Sequence, residues 1–180
     1  MNEILKTLYD SPIGKIELTA SYDGLKSLLF LENNSSISED ALPVSDIQPG
    51  LSEYSEEIVS CLKDSLKQLK EYFAGQRKIF SLRLAPEGTA FQKKVWNELQ
   101  NISFGETISY LELSRRLGDT KAIRAVGGAN GKNRIPIIIP CHRVIGENGK
   151  LVGYGGGLWR KHFLLNLEGS LGQLDFGPIV

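Results

Sequence analysis

The chain has 180 residues, 41% hydrophobic and 23% charged, enough for one large domain or two small ones and ordinary for a globular protein. No stretch reaches the roughly 18 apolar residues of a membrane span, and the N-terminus lacks a signal-like apolar core, so a protein of the cytoplasm (nucleoid-associated in a bacterium) or of a eukaryotic nucleus, with no membrane association, is expected. The net charge of zero is split unevenly: residues 1–85 carry 9 Lys+Arg against 13 Asp+Glu, and residues 86–180 carry 12 against 8.

Residues 15–20 and 25–31 are rich in β-formers and flank Tyr22-Asp23-Gly24, which predicts a hairpin, with Ser11-Pro12-Ile13-Gly14 as another break. Residues 32–50 are polar and punctuated by proline and glycine, so a loop is expected. Between 53 and 74, Ile58, Leu62, Leu66, Leu69 and Phe73 recur at helical spacing, and Gly75 is a fitting stop. Cys61 lies beside that stripe and reads as a helix residue of no chemical consequence. Phe80, Leu82 and Leu84 alternate with Ser81 and Arg83, predicting one more strand. Pro86-Glu87-Gly88 reads as the junction between two units.

The second unit reads as mostly helical. Thr89-Ala90-Phe91-Gln92 has capping-box spacing, and Phe91, Val95, Trp96 and Leu99 follow on one face. Ser109-Tyr110-Leu111-Glu112 repeats the pattern and opens a short helix to Leu117. After a Gly118-Asp119 turn, Thr120 is the expected cap of a helix through Ile123 and Val126. Two short helices joined by a glycine turn fit a helix-turn-helix. Two glycines in Arg124-Ala125-Val126-Gly127-Gly128-Ala129-Asn130 cost roughly 1 kcal/mol each relative to alanine. Small residues let a backbone approach another surface closely, and a groove of DNA is one such surface. The basic excess of residues 105–145 is compatible with phosphate contact without demonstrating it.

Ile135-Pro136-Ile137-Ile138-Ile139 predicts a buried strand that ends at Pro140-Cys141-His142-Arg143. Val144-Ile145 and Leu151-Val152 flank the turn dipeptide Asn148-Gly149. Four glycines surround Tyr154 between 153 and 157, a loop able to wrap a ligand, and a final helix packs through Leu158, Phe163, Leu164 and Leu167. A cysteine becomes nucleophilic when a neighbouring group removes its proton or stabilises its thiolate. The adjacent side chains of Cys141 and His142 would diverge in a strand, so a turn or a bridging water is needed to connect them. The only histidines are His142 and His162, whose placement does not complete a zinc site with two thiols, so no metal is expected.

Ile139-Pro140-Cys141-His142-Arg143-Val144-Ile145 resembles the active-site motif of the O6-alkylguanine-DNA alkyltransferases. The resemblance runs from about Thr89 to Gly169. It takes in Gly105-Glu106-Thr107-Ile108-Ser109-Tyr110, the glycine-rich helix from Arg124 to Ala129, Asn133, the loop around Tyr154, and Leu164-Leu165 before Glu168. It implies an α+β fold: a small ribonuclease-H-like α/β N-terminal domain over 1–85, and a mostly helical domain with a helix-turn-helix over 86–180.

The implied activity is direct, stoichiometric transfer of a methyl or other alkyl group from O6-alkylguanine, and O4-alkylthymine, in double-stranded DNA to Cys141. The resemblance makes His142 a general base acting through water and oriented by Glu168. Asn133 would hold the active-site turn, and Tyr110 would serve the departing guanine and touch DNA. The carbonyls of Cys141 and Val144 would accept from the exocyclic amine, and Tyr154, Gly155 and Gly156 would close over a base flipped from the duplex. Arg124 would fill the vacated space, while Ala125, Gly127, Gly128 and Ala129 let the helix enter the minor groove. No cofactor and no obligate protein partner are implied, and a monomer is expected.

Two positions depart from the family pattern: Arg134 replaces a proline after Asn133, and Gly155 replaces a hydroxyl residue. Altered DNA affinity is expected from the first, and a wider pocket from the second. Three other readings compete: a lesion sensor of the same fold, which would lack Cys141; a cysteine hydrolase, which would turn over; and a helix-turn-helix regulator, which would form no covalent product.

Overall fold

A computed structural model describes residues 3–31, 40–47 and 54–170, and the chain divides into two compact units after Glu87. The expected loop over 32–50 and Glu53 lie partly or wholly outside the described residues.

In the first unit, β1 (Ile4–Ser11), β2 (Gly14–Ser21) and β3 (Gly24–Phe30) form an antiparallel meander, and the short β4 (Ala41–Leu42) pairs parallel to β1. The predicted hairpin corresponds to β2 and β3, whereas β1 is not singled out by the sequence pattern. Gly24 is required at its turn: its φ is 126°, and a Cβ there would lie 2.3 Å from the Arg83 carbonyl oxygen. Helix α1 (Glu56–Phe73) buries Ile58, Leu62, Leu66, Leu69 and Tyr72. The spacing anticipates this face except that Tyr72 rather than Phe73 completes it.

The strand expected over Phe80, Leu82 and Leu84 is not formed. Only Leu84 bridges to Leu25, with Leu25 N donating to Arg83 O and Ala85 N to Leu25 O, each at 2.8 Å. The backbone of Ser81 is already taken by the Gln68 side chain, which accepts from its N–H and donates to its carbonyl. A ladder cannot extend through a residue whose groups are occupied elsewhere.

The second unit opens with α2 (Ala90–Leu99), whose capping box is complete: Thr89 Oγ1 accepts from Gln92 N, and Gln92 Oε1 accepts from Thr89 N. Val95, Trp96 and Leu99 are buried while Phe91 is exposed. Strand β5 (Ile108–Ser109) leads into α3 (Tyr110–Arg116), capped by Ser109 Oγ. The Glu112 side chain pairs with Arg115 and Arg116 instead of returning to its cap.

Helix α4 (Ile123–Gly131) packs on both α3 and α2, and Trp96 Nε1 donates to Ala129 O at 2.9 Å. Its N-cap is Ala122 without a side-chain bond, not Thr120. Asp119 takes the local capping role by accepting from Lys121 N at 2.8 Å.

Ile135, Ile137, Ile138 and Ile139 are buried, as their apolarity requires, but residues 135–139 form a turn rather than a strand. Ile139 N donates back to Ile135 O at 2.9 Å, and Ile137 sits at φ 75°, a strained conformation for a β-branched residue. Strand β6 (Val144–Ile145) pairs parallel with β5. It forms no ladder with Leu151 and Val152, although the Gly146–Lys150 turn exists. Helix α5 (Leu158–Leu167) buries Arg160, Lys161, Leu164 and Leu165, while Leu158 is exposed. Among the described residues no helix is long and apolar enough to cross a membrane.

Candidate active site

Cys141 begins a 3-10 turn, Cys141–Arg143, that directly precedes β6. The parallel β5–β6 pairing brings the start of α3, and hence Tyr110, alongside that turn. Asn133 fixes the approach to it: Nδ2 donates to Ile139 O at 2.8 Å and Oδ1 accepts from Ile135 N at 3.0 Å. The turn supplies the departure from a straight strand that a Cys-His neighbour pair requires.

Cys141, His142 and Glu168 are all buried. His142 Nε2 lies 2.9 Å from Glu168 Oε1. A carboxylate can only accept, so Nε2 carries the proton and Nδ1 holds a lone pair. Nδ1 is buried and has no partner among the described residues. Burial holds the His142 pKa below its usual value despite the carboxylate, which keeps the ring neutral.

Glu168 is the hub of the site. Burial pushes its carboxyl up, but the hydrogen bonds and charges of His142 and Arg143 outweigh this and hold it well below the usual carboxylate range. Arg143 grips it with Nε on Oε2 at 2.8 Å and Nη2 on Oε1 at 2.9 Å, and sends Nη1 to Ile102 O. Gly105 N adds a longer contact at 3.3 Å.

Burial pushes the Cys141 thiol up to about 11, opposed by a hydrogen bond from Asn133 and the charge of Lys161. Lys161 is fully buried and has no carboxylate partner among the described residues. Its Nζ donates to the carbonyls of Val144, Val152 and Gly153 at 2.6, 2.8 and 3.3 Å. Burial pulls its pKa down to about 8, and it remains largely cationic at neutral pH. Glu168 is balanced by Arg143, which leaves the Lys161 charge available to a thiolate at Cys141.

Tyr110 Oη donates to Val152 O at 3.3 Å, with Gly153 O at 3.5 Å, and burial raises its pKa. Gly153 has φ 55°, in the left-handed region that favours glycine. Tyr154 is half-buried, Gly155 exposed and Gly156 buried, and Arg160 Nη1 donates to Gly156 O at 2.7 Å. The Val144 carbonyl is occupied by Lys161, and the Cys141 carbonyl accepts from Val144 N and Asn130 Nδ2. A carbonyl has two lone pairs, so the Lys161 bond leaves Val144 capacity for a further donor.

On α4, Arg124, Ala125 and Gly128 are exposed and Gly127 is half-buried. A Cβ on Gly128 would meet nothing within 4 Å, so internal packing does not explain that glycine. Ala129 departs from its expected place on this face: it is 4% exposed, and its carbonyl is tied to Trp96. It packs α4 inward. Arg134 is exposed beside Asn133.

Sequence reasoning gives no role to Asn130, Arg143 or Lys161. A signal for two of them is present in the helix phase. Lys161 is in register with Leu164, Leu165 and Glu168, and Asn130 with Val126 and Ala129, so both fall on buried stripes. Among the described residues no three His, Cys, Asp or Glu side chains gather as metal ligands.

Together these define a two-unit α+β protein with a helix-turn-helix and a buried cysteine beside a histidine–carboxylate pair. Residues 4–86 match the family model for the 6-O-methylguanine DNA methyltransferase ribonuclease-like domain, and residues 90–170 match that for the DNA binding domain of the same enzyme. The chain belongs to the 6-O-methylguanine DNA methyltransferase family. It is 48% identical to a Methanosarcina acetivorans methylated-DNA–protein-cysteine methyltransferase over 163 residues, covering 91% of this chain and 97% of that one. Its structure resembles the crystal structure of the Mycobacterium tuberculosis O6-methylguanine methyltransferase, with a TM-score of 0.76 and 42% identity over 93% of this chain and 94% of the other. The structure of the M. tuberculosis protein in complex with DNA also matches, with a TM-score of 0.75 and 43% identity over 92% and 93%.

Proposed function

We propose that the protein repairs DNA by moving an alkyl group from O6 of guanine onto Cys141 Sγ, once per molecule. The observation that carries this reading is the buried His142, the residue after Cys141, whose Nε2 is committed to Glu168 while Nδ1 remains an unpaired base. A thiol pushed up to about 11 needs such a base at neutral pH.

Through a bridging water, His142 Nδ1 takes the Cys141 proton, and Glu168 stabilises the imidazolium that forms. The Lys161 charge favours the thiolate. Sulfur attacks the alkyl carbon, the carbon–O6 bond breaks, and its electron pair moves into the guanine ring. Tyr110 donates a hydrogen bond or its proton to the departing base, offsetting that charge. The Cys141 and Val144 carbonyls accept from the exocyclic amine. Tyr154, Gly155 and Gly156 cover the base, and the absence of a side chain at Gly155 widens the space for bulky alkyl groups. The product is a thioether, which no group in the site is equipped to cleave. Acceptor, base and proton donor all come from the chain, so the transfer requires no cofactor.

O6 of a stacked guanine is out of reach of a buried sulfur, so the base is flipped from the duplex. Helix α4 enters the minor groove along Ala125, Gly127 and Gly128, and Arg124 occupies the vacated stack. The same pocket accepts O4-alkylthymine. One molecule suffices for one lesion, and the protein acts as a cytoplasmic monomer.

The test is stoichiometry. With excess duplex containing one O6-methylguanine, lesion loss should stop at one per protein molecule, and Cys141→Ser should repair none. Continued turnover would point to hydrolysis instead.

A further inference from the structure

The amide of Asn130 sits where two parts of the reaction meet. It lies in the last turn of α4, 2% exposed, with Nδ2 3.5 Å from Tyr110 Oη and 3.4 Å from Cys141 O. Its Oδ1 is buried and has no partner among the described residues. An amide retained for packing is normally satisfied at both ends, whereas this one leaves its acceptor unmatched while its donor spans two groups of the site.

We propose that Asn130 is a positioning residue for leaving-group departure, holding Tyr110 as proton donor and fixing its distance from the Cys141 carbonyl. The inference rests on the role given to Tyr110 under the proposed function. In the resting protein Tyr110 Oη donates to Val152 O and accepts from Asn130. When the phenol turns its proton toward guanine, the O–H bond weakens and negative charge grows on Oη. The Asn130 N–H is already directed at that oxygen and strengthens its bond as the charge develops. Lys161 Nζ, 5.9 Å from the centre of the Tyr110 ring, adds a positive field on the same group. The present separations are long, as catalytic hydrogen bonds often are before substrate tightens them. The bond to Cys141 O ties this donor to the backbone of the nucleophile, so one side chain sets the span between the attacking and departing sides.

Free O6-benzylguanine tests this without involving DNA. Single-turnover rates of Cys141 benzylation, read by intact mass, are compared for the wild type, Asn130→Ala, Tyr110→Phe and the double variant. Asn130→Ala should slow transfer about tenfold, the value of a hydrogen bond to a charged group. In the Tyr110→Phe background the same change should cost less than about twofold, because the residue acts through the phenol. A benzylated purine with a more acidic leaving ring should shrink the Asn130→Ala penalty. Asn130→Leu, which refills the volume without the amide, should show the same pattern with a thermal midpoint close to that of the wild type.

Equal slowing in the wild-type and Tyr110→Phe backgrounds, or no slowing by either Asn130 variant while the wild type reacts, overturns the inference alone. Failure of the wild type to become benzylated at Cys141 overturns the parent reading and this one with it.

Discussion

Replacing His142 by glutamine isolates the base from the scaffold, because the new amide can still donate to Glu168. With the thiol at about 11, only about 1 molecule in 4,000 carries an unassisted thiolate at pH 7.4. A positioned general base contributes about 10²–10⁴ in rate, so His142→Gln should slow benzyl transfer by about 100-fold at that pH. Burial holds His142 below its usual pKa, so the wild-type rate should already have levelled off at neutrality. The variant has no such base and should gain about tenfold per pH unit as the thiol ionises. Lys161 loses its proton near pH 8 in the same window, so the informative quantity is the ratio of the two rates at each pH. Measured from pH 6 to 10 by quenched intact mass, that ratio should fall about tenfold per pH unit, pass through about 100 at pH 7.4 and approach unity at the alkaline end. A ratio that is constant with pH, or a variant as fast as the wild type, refutes the relay.

Glu168→Gln removes the charge that compensates a buried Arg143 and should cost about 3–5 kcal/mol in urea unfolding at pH 7; a loss below about 1 kcal/mol would show the pair to be dispensable. Glu168 is held below its unfolded pKa, so its contribution is complete above about pH 4.3 and is lost as pH falls and the unfolded chain takes up the proton first. The variant should therefore lose stability less steeply in acid than the wild type. Gly128→Ala meets open space and should raise stability by about 1 kcal/mol while weakening duplex binding; unchanged affinity would remove α4 from the interface. Arg124→Ala should slow repair in duplex DNA more than benzylation by the free base, and equal losses would argue against a finger.

The parts of the fold that local chemistry determines are legible in the sequence. The α1 stripe and the Thr89–Gln92 capping box depend on residues within a few positions of one another. Sequence and structure part where backbone groups are claimed from far away. The alternation at Phe80, Leu82 and Leu84 fits a strand, yet Gln68 takes the Ser81 backbone. The apolar run after Arg134 fits a buried strand, but Asn133 and the 135–139 turn bend it so that Cys141 begins a helical turn. Val144-Ile145 pairs with β5, which lies more than thirty residues earlier, rather than with the segment beyond the adjacent turn.

At the site, the motif identifies Cys141 and His142, and the resemblance places Glu168. Spacing alone gives no hint that Arg143 shares the carboxylate, since its partners Glu168 and Ile102 are remote in sequence. Lys161 and Asn130 are discoverable as polar residues in phase with apolar stripes. Ala129 shares the small size of Ala125, Gly127 and Gly128, but helix phase turns it toward Trp96.

The central claim is that Cys141 is consumed as the alkyl acceptor. Intact mass of the protein after reaction with one equivalent of duplex carrying O6-methylguanine should rise by one methyl in place of one hydrogen, mapped by peptide sequencing to Cys141 and accompanied by unmodified guanine in the DNA. An unmodified protein with repaired DNA, or a methyl group on Cys61 instead, would contradict the account.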